Sequence, residues 1–284
     1  MAKNYNEENM GNESLLDEMD YYDSYKESDL ILEYNQVTLD DAGVVNILGI
    51  GIDNITSPQA VVRVLNMIKD GGVYHIVPIN PYKLMRAKSN TELNALINKA
   101  DIHLPSGGGL LWAAKMLRKP LKEKILLLSF MMDIIRIAEI EEHPIFIVGG
   151  KSEVAEMAFF NIRKSFPKIR IVGRHGGYFN KTRETAVIEA MRKSEACIFF
   201  VGLGFPKEDR WIQKIRKEFR NGVFISVGGS IDIISGSIKK APAYFMERGL
   251  DWFYRIISKP WRIGRLFRML YFFISVIMKR LLAK

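Results

Sequence analysis

Residues 196–242 read ACIFFVGLGFPKEDRWIQKIRKEFRNGVFISVGGSIDIISGSIKKAP, and their pattern decides the fold. Two apolar runs rich in β-branched and aromatic residues, Cys197–Val201 and Val223–Val227, predict buried parallel strands, because strands covered on both faces lose the in–out alternation. Each run ends in glycines: Gly202 and Gly204 after the first, Gly228 and Gly229 after the second. Between them, Glu208–Arg220 repeats at helical spacing and puts Trp211, Ile212, Ile215 and Phe219 on one face. The stretch is a βαβ unit with a glycine turn at the C-terminal end of each strand, where open α/β sheets bind ligands. Glycine lets the backbone approach a phosphate, and the next helix N-terminus offers free N–H groups. Gly–Gly after a strand is also an ordinary turn; two such turns on neighbouring strands favour the ligand reading.

The preceding chain repeats the alternation. Val44–Ile50 predicts a short strand, followed by Gly51, Ile52 and Asp53. Ser57 reads as an N-cap with Pro58 at the first helical position, opening a helix to about Lys69 that Gly71–Gly72 stops. Strands are expected at Val73–Val77, Ile102–Leu104, Pro144–Val148 and Ile169–Val172. Helices are expected from Asn80-Pro81 through Ala87, and over Thr91–Lys99, Leu110–Leu117, Ile125–Ile140, Val154–Phe166 and Lys181–Lys193. Pro105-Ser106-Gly107-Gly108-Gly109 at a helix start is a second candidate phosphate or carbohydrate loop, with a flexible turn as the plain alternative. The alternation predicts an α/β fold with a mainly parallel sheet.

The chain has 284 residues, 48% hydrophobic and 26% charged, an ordinary globular composition. Its formal net charge of +9 is unevenly divided: residues 1–42 carry twelve Asp/Glu and two Lys, so the remainder is strongly basic. Such a body seeks nucleic acid, anionic lipid or phosphorylated substrates. Residues 1–42 read as an acidic disordered tail, which either solubilises the chain or folds back on the basic body. No positive start followed by an apolar segment is evident, so no signal peptide is expected and the protein is placed on the cytoplasmic side. The lone Cys197 reads as a small core residue, and the scattered histidines have no metal-ligand spacing, so no metal is expected.

The chain end differs. Residues 239–284 hold eleven Lys/Arg against Glu247 and Asp251, with Arg255, Arg262, Arg265 and Arg268 interleaved among aromatics such as Trp252, Trp261, Phe267 and Phe272. That mixture suits a lipid headgroup interface. The charge-free run Met269–Met278 has ten residues, and a spanning helix needs roughly 20. The segment is therefore expected to lie on an anionic membrane; the plain alternative is a C-terminal helix packed on the core. No nucleic-acid motif accompanies the charge, so nucleic acid is not expected as a partner.

Seven stretches in order carry a resemblance. They are INPYKLMRA at 79–87, ADIHLPSGGGLLWAAK at 100–115, FIVGGKSEVAEMA at 146–158, GRHGGYF at 173–179, VGLGFPKEDRWI at 201–212, VGGSIDIISGSIKKAP at 227–242 and RGLDWFYRIISKP at 248–260. Through them the chain, from about 46 to 265, resembles the WecG/TagA/CpsF family of bacterial glycosyltransferases. The resemblance implies a Rossmann-like fold over residues 43–242 and a basic amphipathic helical appendage over 243–284 that places the enzyme on lipid and completes the active site. It also implies a UDP-sugar donor, typically UDP-N-acetylmannosamine, a polyprenyl-diphosphate-linked N-acetylglucosamine acceptor at the inner face of the membrane, and neither metal nor cofactor. Homo-oligomer formation is left open.

The resemblance also assigns residues. Gly202, Gly204, Pro206, Lys207 and Glu208 match the nucleotide-sugar side, and Gly228, Gly229 and Asp232 match the second turn. The Asp232 carboxylate is placed either to bond a ribose or uracil, or simply to favour a helix N-terminus. Tyr178 lines a base or sugar pocket or fills the core. Arg255, Arg262 and Arg265 are candidates for diphosphate or headgroup contact. Several polar positions depart from the family. Its usual Pro-Asp-Gly, with Asp as proposed base, reads Pro105-Ser106-Gly107 here, and an unassisted serine takes up a proton poorly. Thr-x-Asn reads Pro78-Ile79-Asn80, Thr-Gly-x-Asp reads Leu126-Leu127-Leu128-Ser129, and Gln-Glu reads Glu208-Asp209. The catalytic candidates are thus Ser106, Asn80 and His103, the last as a substitute base or a satisfied structural group. Two functions follow: an active transferase with altered groups, or a silent member that binds nucleotide sugar or lipid-linked glycan as a partner or regulator.

Overall fold

The computed structural model describes residues 34, 36–39, 43–238, 244, 245, 254 and 264–282. A hairpin of β1 (Val44–Ile47) and β2 (Ile50–Asp53) is followed by α1 (Ser57–Asp70), β3 (Val73–Ile79), α2 (Pro81–Lys88), α3 (Thr91–Ile97), β4 (Ile102–Pro105) and α4 (Gly108–Met116). Then come α5 (Leu127–Ile140), β5 (Ile145–Gly149), α6 (Ser152–Ser165), β6 (Ile171–His175), α7 (Lys181–Lys193), β7 (Ile198–Gly202), α8 (Lys207–Ile215), β8 (Gly222–Ser226), α9 (Ser230–Ile234) and α10 (Gly264–Leu282). Strands β3 to β8 form one parallel sheet in the order β4-β3-β8-β7-β5-β6. The fold is α/β and Rossmann-like, and the two glycine turns of the 196–242 unit end adjacent strands.

Strand parity divides the core. Ile76, Ile145, Ile147, Ile198, Phe200, Val223 and Ile225 face α1, α5, α6 and α9 on one side of the sheet. Phe146, Val148, Phe199, Val201 and Phe224 face α7 and α8 on the other. Both sets are buried, which is why these strands read as unbroken apolar runs. A third cluster joins Ile47, Ile50 and Ile52 of the hairpin to Leu84 of α2, Leu110 of α4, and Phe272 and Val276 of α10. The C-terminal helix therefore docks on the folded body through one face, as the plain reading of that segment expects.

Local differences have simple causes. Val44–Ile50 is not one strand: Leu48 (φ 52°) and Gly49 (φ 97°) turn the chain back, and Asn46 Oδ1 accepts the Gly49 N–H at 3.0 Å to close the turn. The N-cap of α1 is Thr56 rather than Ser57, because Thr56 and Gln59 form a reciprocal capping box. The helix after β7 ends at Ile215 and tightens over Arg216–Glu218, so Phe219 leaves the helix and packs on Phe199 and Phe224, at 5.2 and 5.0 Å between ring centres. Most of the acidic tail and the junction at residue 242 lie outside the described residues.

Candidate functional site

The C-terminal ends of β3, β8, β7 and β5 stand side by side, and the four glycines there differ in purpose. A Cβ on Gly202 would lie 2.8 Å from the Gly228 carbonyl and 2.8 Å from Ile231, so glycine is needed for close packing. Gly204 and Gly228 have positive φ (77° and 53°), and a Cβ on either would meet nothing within 4 Å, so they border open space. Gly229 meets only Asp232, whose carboxylate reaches between the turns after β5 and β8: a Cβ on Gly150 would be 3.8 Å from its Oδ1, and one on Gly229 3.7 Å from its Oδ2.

The amides of Gly204 and Gly228 are not left waiting for a phosphate, contrary to the expectation from the sequence. Both donate to one oxygen of Glu208, Oε2, at 3.1 and 3.2 Å. Glu208 is only 2% exposed and ties the turn after β7 to the turn after β8. Lys83, equally buried in α2, lies 3.9 Å from its other oxygen and 3.0 Å from Asp209 Oδ2. Burial pushes the Glu208 carboxyl up to about 7, with Lys83 opposing and Asp209 adding to the rise. Its ordinary value is 4.5, so the folded chain holds this proton more tightly than the unfolded one. The stabilisation is full below the unfolded value and is lost as pH rises through the folded one. The unfolding free energy of the native chain is expected to fall between about pH 5 and about pH 8 by more than that of Glu208→Gln. Equal declines in denaturant titrations would refute this.

From Asp209 a hydrogen-bonded chain crosses the core. Ser226 Oγ donates to Asp209 Oδ1 at 2.8 Å, His75 Nε2 lies 3.0 Å from Ser226 Oγ, and Gln213 Nε2 lies 3.0 Å from His75 Nδ1. An amide nitrogen only donates, so Nδ1 accepts and Nε2 carries the proton toward Ser226. Burial holds the imidazole neutral, its pKa lowered to about 3. The set Ser226, His75 and Asp209 is not a nucleophilic triad, because the histidine donates to the serine and cannot take its proton. Satisfied along its length and buried from Asp209 to His75, the chain is structural.

The loop after β4 stands beside the end of β3. Ser106 donates its backbone N–H to the Ile79 carbonyl at 2.7 Å, and a Cβ on Gly107 would be 3.5 Å from Asn80 Cβ. The fold thus brings Ser106 and Asn80 together, and Ile125 N–H to Pro105 O at 2.8 Å brings the start of α5 alongside. The Asn80 side-chain oxygen already accepts from Lys83 N–H as the cap of α2. His103 belongs elsewhere: its Nε2 is 2.8 Å from the Ile97 carbonyl and its Nδ1 3.9 Å from Asp53, which also accepts the His103 backbone N–H at 2.8 Å. These contacts match a satisfied structural group, not a base serving Ser106.

The other candidates are spread around the same sheet end. Pro206, after a cis peptide bond, precedes α8, and Lys207 begins it. Lys207 lines a cleft of about 450 Å³ with Gly177, Leu203, Arg210, Trp211 and Lys214. Tyr178 is 77% exposed in that loop and is not a core residue. Cys197 is half-buried at the edge of the core rather than inside it, and burial pushes its thiol up to about 11. Arg255 and Arg262 lie outside the described residues, and the Arg265 side chain is likewise outside them. Sequence reasoning missed Lys83 and Ser226. Lys83 could have been noticed, since helical spacing puts it on the side of Leu84 and Ala87; nothing local marks Ser226. Among the described residues no group of three His, Cys, Asp or Glu is placed to hold a metal ion.

The sequence model of the WecG/TagA/CpsF glycosyl transferase family matches residues 45–284. An N-acetylglucosaminyldiphosphoundecaprenol N-acetyl-beta-D-mannosaminyltransferase of Staphylococcus aureus strain MW2 is 31% identical over 224 residues, 78% of this chain and 87% of that protein. The protein of the same name from strain NCTC 8325 is similar to the same extent, 31% over 224 residues.

Proposed function

The chain belongs to the WecG/TagA/CpsF family of glycosyltransferases, and from that premise we propose that it moves an N-acetylhexosamine, typically N-acetylmannosamine, from a UDP-sugar to a polyprenyl-diphosphate-linked N-acetylglucosamine in cell-surface polysaccharide synthesis. The observation that carries this reading is the family match across the whole sheet and α10. The donor's diphosphate approaches the open side of Gly204 and Gly228, with Lys207 at the start of α8 and Asp232 and Tyr178 toward the nucleoside. Asn80 and Ser106 face the transfer step. Release of UDP from a panel of UDP-sugars with polyprenyl-linked acceptors tests the proposal; a folded protein that releases no UDP with any pair would defeat it. A second reading, a chain that binds the donor without turning it over, is favoured by Ser106 and by the engagement of His103 elsewhere.

The transfer takes place at the inner membrane surface, with the protein peripherally bound. Among the described residues no helix is long and apolar enough to cross a membrane. Helix α10 buries Met269, Phe272 and Val276 and exposes Phe267, Leu270, Tyr271, Ile274, Met278 and Leu281 along its outer side. An apolar outer face on a helix carrying Lys279 and Arg280 suits an anionic lipid surface. Truncation would open the core, so the outer face is the better target. Ile274→Glu, Met278→Glu and Leu281→Glu together are expected to abolish co-sedimentation with anionic vesicles while leaving the thermal unfolding midpoint nearly unchanged. Undiminished sedimentation would exclude α10 as the contact.

A further inference from the structure

We propose that Glu208 is a positioning residue of the donor site: its buried carboxylate clamps the turns after β7 and β8 and sets a negative charge beneath them, so that the donor's diphosphate is bound together with a proton. The proposal rests on the donor reading above. Its geometry is the double acceptance by Oε2 from Gly204 and Gly228 N–H, at 3.1 and 3.2 Å. The other faces of these two glycines are open. A phosphate entering there meets amides that already point at Glu208, with the carboxylate directly behind them.

The charges facing this carboxylate are few. From α2 comes Lys83, 3.9 Å from Oε1 but held more closely by Asp209 at 3.0 Å. From α8 itself comes Asp209, a second negative charge. The turn after β8 offers only the Gly228 amide. One cation serves two carboxylates, so a third anion raises the preference of Glu208 for its proton. Burial already pushes this carboxyl up to about 7, so uptake falls in an accessible range.

The test uses UDP-N-acetylmannosamine, whose phosphodiester charges do not titrate near neutrality. Calorimetry on the full chain at about pH 7.5, in two buffers of different ionisation heat, is expected to show uptake of a fraction of a proton per donor bound. Affinity is expected to weaken about tenfold from pH 6 to pH 8, following the protonated fraction of Glu208. Glu208→Gln keeps an oxygen for the two amides and carries no charge. Its affinity is expected to be nearly constant over that range and to exceed that of the native chain at pH 8. Donor binding with no proton uptake, or with the same pH profile in Glu208→Gln, would overturn the role of Glu208 alone. No donor binding by either folded protein would overturn the donor reading and this proposal with it.

Discussion

Lys83→Met is expected to lower the unfolding free energy by about 3–5 kcal/mol, the range for removing one partner of a buried ion pair. Lys83 is 3% exposed and stands 3.0 Å from Asp209, which is fully buried, and 3.9 Å from Glu208. Methionine matches the length of the lysine stem and fills its space beside Phe205, so packing changes little. What is lost is the cation that faces both carboxylates. Asp209 keeps the Ser226 hydroxyl, and Glu208 keeps two amides, but neither replaces a charge. A double change, Lys83→Met with Asp209→Asn, is expected to recover part of the loss, because it removes an uncompensated charge together with its partner. Urea unfolding at about pH 7.5 measures both. A loss below about 1 kcal/mol in the single variant would mean that water reaches the pair and that it acts as a surface ion pair.

Ser106→Asp alone is expected to raise UDP release by less than about tenfold, although a well-placed general base contributes about 10²–10⁴-fold. The reason lies in its neighbours. A carboxylate in the loop after β4 needs donors to orient it. Pro78, buried near the end of β3, has neither an N–H nor a hydroxyl to donate, and Asn80, whose side-chain oxygen caps α2, offers only its amide nitrogen. At the start of α5, Ser129 stands where the resembled family has Asp. His103→Ala is expected to leave whatever turnover the native chain has unchanged, since its imidazole bonds the Ile97 carbonyl. Turnover that rises by the full factor on Ser106→Asp would show that the site is intact apart from one side chain. Turnover that collapses on His103→Ala would restore the histidine as the base.

The amino-acid sequence by itself determined the parallel sheet, though strands β3 and β6 run on to Ile79 and His175, past the ends of their apolar runs. Residues such as Ile198–Val201 and Val223–Ile225 are apolar on both faces, and that composition is stable only inside a parallel sheet covered by helices. The glycines after β7 and β8 marked the ends of these two neighbouring strands for the same local reason. The order of motifs likewise identified the family. Tertiary structure alone decided what the polar residues do. His75, Lys83, Asp209 and Ser226 are separated by up to 151 positions, and no local pattern says that they share one buried chain. The pairing of Glu208 with two turns, the loss of His103 to Ile97 and Asp53, and the two apolar faces of α10 are of the same kind. Secondary structure follows from neighbours along the chain, through spacing, capping and burial. A buried charge or hydrogen bond depends on what folding sets opposite it, and that partner can come from anywhere in the sequence.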